Sequence, residues 1–260
     1  MKVRPENPKS FRDFKLSSFD CFGTLIDWNE GVYKALEPIW SRLPDSHPLC
    51  KDRRGLLSEF SSFEVPLVIN NPKRIYSTLL DEAYMTLARS LGQNPPVEEG
   101  MAFGASVGDW PAFPDSVAAL NRMKKHYKLV ILSNVDRASF AKVLAGPLAD
   151  VQFDAVYTAE DIGSYKPDIH NFEYLLSHIE EDFRLKKDVI LHTAQSLRAD
   201  HAPAKLIGLD SAWIVRGDEG FAMGGEWADY DGKIEYTWKF ETMQEISAAV
   251  DEDFAAAETA

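Results

Sequence analysis

The chain has 260 residues, 45% hydrophobic and 12% aromatic, which excludes a disordered chain and allows one large domain or a core with a smaller inserted unit. A formal charge of −13, from 28 basic against 41 acidic side chains, disfavours nucleic acid and anionic membrane as partners, and two cysteines, Cys21 and Cys50, exclude a disulfide framework. No apolar run approaches the roughly 20 residues that span a bilayer, and the opening 15 residues carry no apolar stretch, so a cytoplasmic protein is expected.

In chain order, the first signal is a short apolar run, residues 16–19, ending in Asp20 and followed by a Gly23-Thr24 turn. It reads as a buried strand that delivers a carboxylate to its carboxyl end, where open α/β sheets bind ligands. Residues 30–43 follow at helical spacing (Val32, Leu36, Ile39, Trp40, Leu43), with Pro38 expected to kink or divide them. After a polar turn at 44–48, an apolar periodicity resumes over 55–63 and is expected to stop at Pro66. Asn71-Pro72 reads as the start of a helix ending at Gly92. Residues 28–107 thus read as an all-helical unit set into an α/β core made of residues 1–27 and 108–260. Residues 100–114, with Gly100, Gly104, Gly108, Pro111 and Pro114, have the composition of a hinge. Trp28 and Trp110 fall at the two connections, either at the crevice or in plain inter-domain packing.

From residue 115 helix and strand alternate: helix 115–126, strand 129–132, helix 137–144, strand 155–157, helix 168–179, strand 189–191, helix 198–206 and strand 212–215. Residues 234–240 are a candidate strand and 242–250 a helix, before an acidic, alanine-rich end. This is the rhythm of a doubly wound parallel sheet, Rossmann-like, with an inserted helical cap. Four signals then fall at or beyond strand ends that converge in such a sheet: Asp20, Ser133-Asn134, Lys166-Pro167, and the stretch from Gln195 to Asp200.

In that order, these segments resemble the motifs of the haloacid dehalogenase superfamily. Phe19-Asp-Cys-Phe-Gly-Thr-Leu-Ile-Asp27 is similar to its first motif, Ile131-Leu-Ser-Asn134 to its second, Tyr165-Lys-Pro-Asp168 to its third, and residues 190–200 occupy the fourth. Phosphatases of this superfamily carry a second acid two residues after the nucleophile and a fourth-motif Asp that completes a magnesium site. Here those positions are Phe22 and Gln195, and a neutral amide is a poor magnesium ligand. Without a metal, a phosphate dianion facing Asp20 lacks charge compensation.

The resemblance is closest to the 2-haloacid dehalogenases, which carry an aromatic at the Phe22 position and use no metal or other cofactor. It implies metal-independent hydrolysis of a short, anionic 2-halo acid through an ester on Asp20. Lys166 would keep Asp20 ionised, Thr24 would orient it, and Asp200 would position Lys166 or the hydrolytic water. Ser133 and Asn134 would hold the substrate carboxylate or the halide, with helix capping as their alternative reading. Phe22 would exclude solvent, and Cys21, Trp28, Trp110 and Gln195 complete the expected lining. Two features depart from these dehalogenases. Asn29 stands where they place an arginine after the first motif, leaving Arg53, Arg54 and Arg74 as unassigned cap candidates, and Gln195 and Leu197 stand where their fourth motif has Ser and Asn. A phosphatase with an altered metal site, or a scaffold repurposed for binding or a biosynthetic step, are the rival readings. A homodimer is compatible with any of them.

Overall fold

The computed structural model describes residues 9–217 and 234–258; the ends of the charged opening segment and of the alanine-rich tail lie outside this range. Among the described residues six parallel strands, β1 (Leu16–Phe19), β2 (Lys128–Ser133), β3 (Ala155–Thr158), β4 (Ile190–Ala194), β5 (Asp210–Ile214) and β6 (Trp238–Phe240), form one sheet in the order β3-β2-β1-β4-β5-β6. The doubly wound architecture read from the alternation is therefore the observed one. β1 lies at the centre because all four of its residues are buried and can pack on both faces. The order reverses between β1 and β4, and a parallel sheet opens its ligand crevice at such a switch point.

Alternate side chains feed two cores. Leu16, Val130, Leu132 and Ile190 pack on one face with Phe172, Leu175 and Ile179 from the helix Ile169–Phe183. Phe19, Leu129, Ile131, Leu191 and Ile214 pack on the other with Leu120, Met123, Ile246 and Val250 from the helices Ser116–Met123 and Met243–Glu258. The last helix runs eight residues beyond the expected end at 250, continuing through Phe254, which stacks on His126 with ring centroids 4.1 Å apart.

Residues 28–105 contribute helices only: α1 (Trp28–Ala35), α2 (Glu37–Trp40), α3 (Arg53–Asn70), α4 (Tyr76–Ser90) and α5 (Val97–Ala105). Their boundaries correct the sequence reading in three places. The division expected at Pro38 falls at Leu36, with Pro38 in the first turn of α2. Pro66 does not stop α3: it is exposed, so the carbonyl it leaves unpaired can turn to water. Asn71 closes α3 instead of opening α4, its side-chain amide donating to the Leu67 carbonyl at 2.9 Å.

The expected hinge over 100–114 is also shorter than its composition suggests. Gly100 and Gly104 lie inside α5 and serve a close helix contact: a Cβ on Gly104 would stand 2.1 Å from the Ser77 carbonyl oxygen of α4. The real connections are two antiparallel strands of chain, with Asp27 N–H donating to the Pro111 carbonyl at 2.8 Å and Phe113 N–H to the Leu25 carbonyl at 2.9 Å. Gly104→Ala should therefore force α4 and α5 apart and cost about 1–3 kcal/mol of stability, as overpacking does. Urea denaturation checks this, and an unchanged midpoint would contradict the close contact.

Candidate active site

β1 ends by delivering Asp20 into the crevice, and the backbone turns away at Gly23, whose φ of 87° lies in the left-handed region that favours glycine. The turn folds the Thr24 hydroxyl back to donate to Asp20 Oδ2 at 2.6 Å. The same hydroxyl oxygen accepts the Gln195 backbone N–H at 2.9 Å, tying the end of β1 to the loop after β4. Lys166 reaches in from the segment beyond β3. Its buried ammonium donates to Asp20 Oδ1 at 2.8 Å, Asp200 Oδ1 at 2.7 Å and the Leu132 carbonyl at 2.9 Å, using all three donors. Asn134 fixes the Lys166 backbone from both sides, accepting its N–H at 2.7 Å and donating to its carbonyl at 3.0 Å.

Behind Asp200 lies His192. One ring nitrogen meets Asp200 Oδ1 at 3.0 Å and the other meets the Ser18 hydroxyl at 2.9 Å, so the histidine joins β1, β4 and the π-helical turn Leu197–His201. Both ring nitrogens of His192 therefore bond side chains and not the main chain. In front lies a narrow cleft of about 40 Å³, lined by Asp20, Phe22, Trp28, Ser133, Asn134, Lys166 and Asp200 and roofed by residues of α3. Ser133 Oγ and Asp200 Oδ2 are buried there without a hydrogen-bond partner.

A family model of haloacid dehalogenase-like hydrolases matches residues 14–192. The chain belongs to this family. Among solved structures it is similar to the defluorinating L-2-haloacid dehalogenase Rha0230, with a TM-score of 0.73, 19% identity, and coverage of 94% of this chain and 98% of that one. It is similar also to the L-2-haloacid dehalogenase of Xanthobacter autotrophicus (TM-score 0.71, 17% identity, 92% and 98% covered) and to the putative HAD-hydrolase YfnB of Bacillus subtilis bound to magnesium (0.69, 16%, 92% and 99%). At these identities the likeness extends to the fold. No curated protein sequence matches.

Within this HAD-like crevice the electrostatics are dominated by burial. Desolvation raises the Asp20 carboxyl above the ordinary carboxylate range, against the neighbouring Lys166 ammonium, and the negative Asp200 adds to the rise. Burial also opposes the charge on Asp200, yet Lys166 and then His192 overcome it and hold this acid at about 2. For Lys166, burial works to strip the proton, but the two carboxylates win and the ammonium is held above its usual range. The magnesium used by phosphatases of the family does not fit this donor set. One ammonium already bridges both carboxylates, Phe22 stands where a second acid would be, and among the described residues no three His, Cys, Asp or Glu side chains are grouped to hold an ion.

The structure gathers Asp20, Thr24, Lys166, Asp200, Ser133, Asn134, Phe22 and Trp28 at one cleft, and it moves three other expected residues away. The Cys21 thiol points into the apolar core, where burial pushes its pKa well up. Trp110 backs Phe22 edge-on at 5.9 Å and donates to Ser106 Oγ without lining the cleft. Gln195 acts through its backbone, which meets Thr24 and accepts the Trp213 indole N–H at 3.0 Å. Asn134 holds Lys166, so substrate contact is not its main task, and the helix after β2 (Arg137–Ala145) is capped by Asp136, which removes the capping alternative for Ser133 and Asn134.

Sequence reasoning missed Glu64, Tyr76 and Arg198, which also line the cleft. Glu64 had a readable signal, since it interrupts the stripe Leu57, Phe60, Glu64 that α3 buries. None of the three cap arginines reaches the cleft: Arg53 pairs with Glu30 at 2.8 Å, Arg74 pairs with Glu82 at 2.7 Å, and Arg54 does not line it. The arginine that lines it, Arg198, belongs to the loop after β4. Lys166→Met should leave two buried carboxylates facing each other and cost about 3–5 kcal/mol. Chemical denaturation tests this, and a stability equal to the parent protein would show that the ammonium does not compensate both acids.

Proposed function

We propose that this HAD-like hydrolase cleaves the carbon–halogen bond of a short 2-halo acid, with the helical segment 28–107 as a lid over the cleft. The observation that carries this reading is Phe22 in the cleft wall two residues after Asp20, beside two carboxylates bridged by one ammonium. A phosphoryl group would find Phe22 in place of an acid two residues after Asp20 to protonate its leaving oxygen, and a dication would have to displace the ammonium that bridges Asp20 and Asp200.

Asp20 is placed to attack the α-carbon of the substrate: a carbon–oxygen bond forms, the carbon–halogen bond breaks, and halide departs with the electron pair. Water then adds to the Asp20 carboxyl carbon and the ester opens there. The 2-hydroxy acid leaves with one hydrogen of the water, the other is released as a proton, and the oxygen of the water stays on Asp20. Thr24 and Lys166 hold one Asp20 oxygen each and thereby fix the plane of attack. Asp200 Oδ2, unpartnered and facing the cleft, is available to orient the water, while Phe22 and Trp28 keep other water out.

Chloride release from 2-chloropropionate in the presence of a chelator, lost in Asp20→Asn, is the expected result. Turnover in isotope-labelled water should place heavy oxygen on Asp20, read by mass analysis of its peptide. Magnesium-dependent phosphate release without chloride release would overturn the reading. Because attack needs the ionised acid and burial raises its pKa, activity should fall, as pH drops, at a value above the ~3.9 of a free aspartate. A pH–rate profile with its acid limb at or below that value would contradict an Asp20 nucleophile in this setting.

A further inference from the structure

The cleft holds two groups that the proposed chemistry does not use. Glu64 on α3 is only 8% exposed, and its Oε1 accepts the Tyr76 hydroxyl at 3.0 Å. Arg198, half-buried on the loop after β4, lines the same space and makes no hydrogen bond or ion pair with a described residue. A guanidinium left unpaired over a cleft is a carboxylate receptor in waiting, since it offers a planar fork of donors. Ser133 Oγ, 2% exposed and unpartnered, faces the same space and marks it as built for a polar ligand.

We propose that Arg198 and Glu64 recognise the substrate carboxylate together, the guanidinium taking one oxygen and the neutral Glu64 carboxyl donating a hydrogen bond to the other. This rests on the reading of the substrate as a short carboxylic acid and adds a proton to its recognition. With Glu64 neutral, the charged groups at the cleft are Asp20, Asp200, Lys166 and Arg198, which sum to zero, and an anion can enter. With Glu64 ionised the sum is −1, and the carboxylate competes for Arg198 while repelling the substrate. The titratable and charged groups facing Glu64 are Tyr76 from α4, Tyr165 from the segment after β3 and Arg198 from the loop after β4. Burial, the largest influence, lifts its carboxyl to about 7 against both the Tyr76 hydrogen bond and the Arg198 charge, so the switch falls in the working range of pH. Carboxylate binding is then favoured below that value and weakens as pH rises through it.

Propionate, which has the carboxylate but no halogen to lose, is a suitable probe. Titration calorimetry at about pH 6 and about pH 8, either side of the Glu64 value, in two buffers of different ionisation enthalpy reads affinity and proton uptake together. The parent protein should bind about tenfold more weakly at the higher pH and take up protons on binding there. Glu64→Gln should flatten the pH dependence and abolish the uptake, and Arg198→Gln should weaken binding about tenfold or more at both values. Tyr76→Phe removes only the hydroxyl that stabilises the ionised acid, so it should move the midpoint to higher pH, and it serves if Glu64→Gln does not fold. An unaltered affinity in Arg198→Gln, an unaltered slope in Glu64→Gln, an unmoved midpoint in Tyr76→Phe, or no propionate binding by the parent would each overturn the proposal. Chloride release with no such coupling would sink this inference and spare the dehalogenation reading. Proton-linked propionate binding in a protein that releases no chloride would do the reverse.

Discussion

A single buried ammonium organises the crevice. Lys166 sits between Asp20 and Asp200, each within 2.8 Å, in a place where isolated carboxylates would not stay ionised. Its third donor is used by a main-chain carbonyl of β2, so its position is set by the sheet itself. Removing one member of such a buried set strands the charges of the others, which makes the three residues a unit of stability as well as of chemistry.

The surrounding structure exists largely to keep that unit in register. Asp20 and Asp200 come from β1 and the loop after β4, which are neighbours only because the strand order reverses there. Asn134 grips the Lys166 backbone, His192 links Asp200 to Ser18 across β1 and β4, and Thr24 links Asp20 to the same loop. Arg216 adds a link from outside the crevice. Its side chain donates to the Thr24 carbonyl at 2.9 Å and to Asp115 at 2.6 Å, so the turn that carries Asp20 is tied to the chain returning from the helical segment. A movement of that segment would be felt at the turn, since both connections run beside each other at residues 25–27 and 111–113.

Family membership and chemistry rest on different grounds here. The family match and the TM-scores establish a HAD-like hydrolase fold, while identities below 20% carry no substrate with them. What favours the proposed carbon–halogen chemistry is Phe22 in the cleft wall and the ammonium shared by two acids. The arginine that lines the cleft is Arg198, which stands on the loop after β4 instead of on the helical segment.

Much of this was legible in the residues alone. Alternating short apolar runs and amphipathic stretches dictate a doubly wound parallel sheet, because each run is buried on both faces and each helix on one. The order of four short motifs placed Asp20, Ser133, Lys166 and Asp200 at strand ends, since a parallel sheet brings those ends together whatever the connections do. What the chain pattern cannot show is which way a side chain turns once the backbone has arrived. Cys21 and Phe22 are adjacent, and only the turn at Gly23 decides that the ring faces the cleft and the thiol the core. Gly100 and Gly104 have the composition of a hinge, yet the approach of α4 makes them a helix contact. Glu64 and Arg198, 134 positions apart, come to line one cleft only when α3 folds over the loop after β4. Local sequence sets strands, helices and their ends through period and burial, whereas a shared cleft is a long-range contact that tertiary packing alone selects.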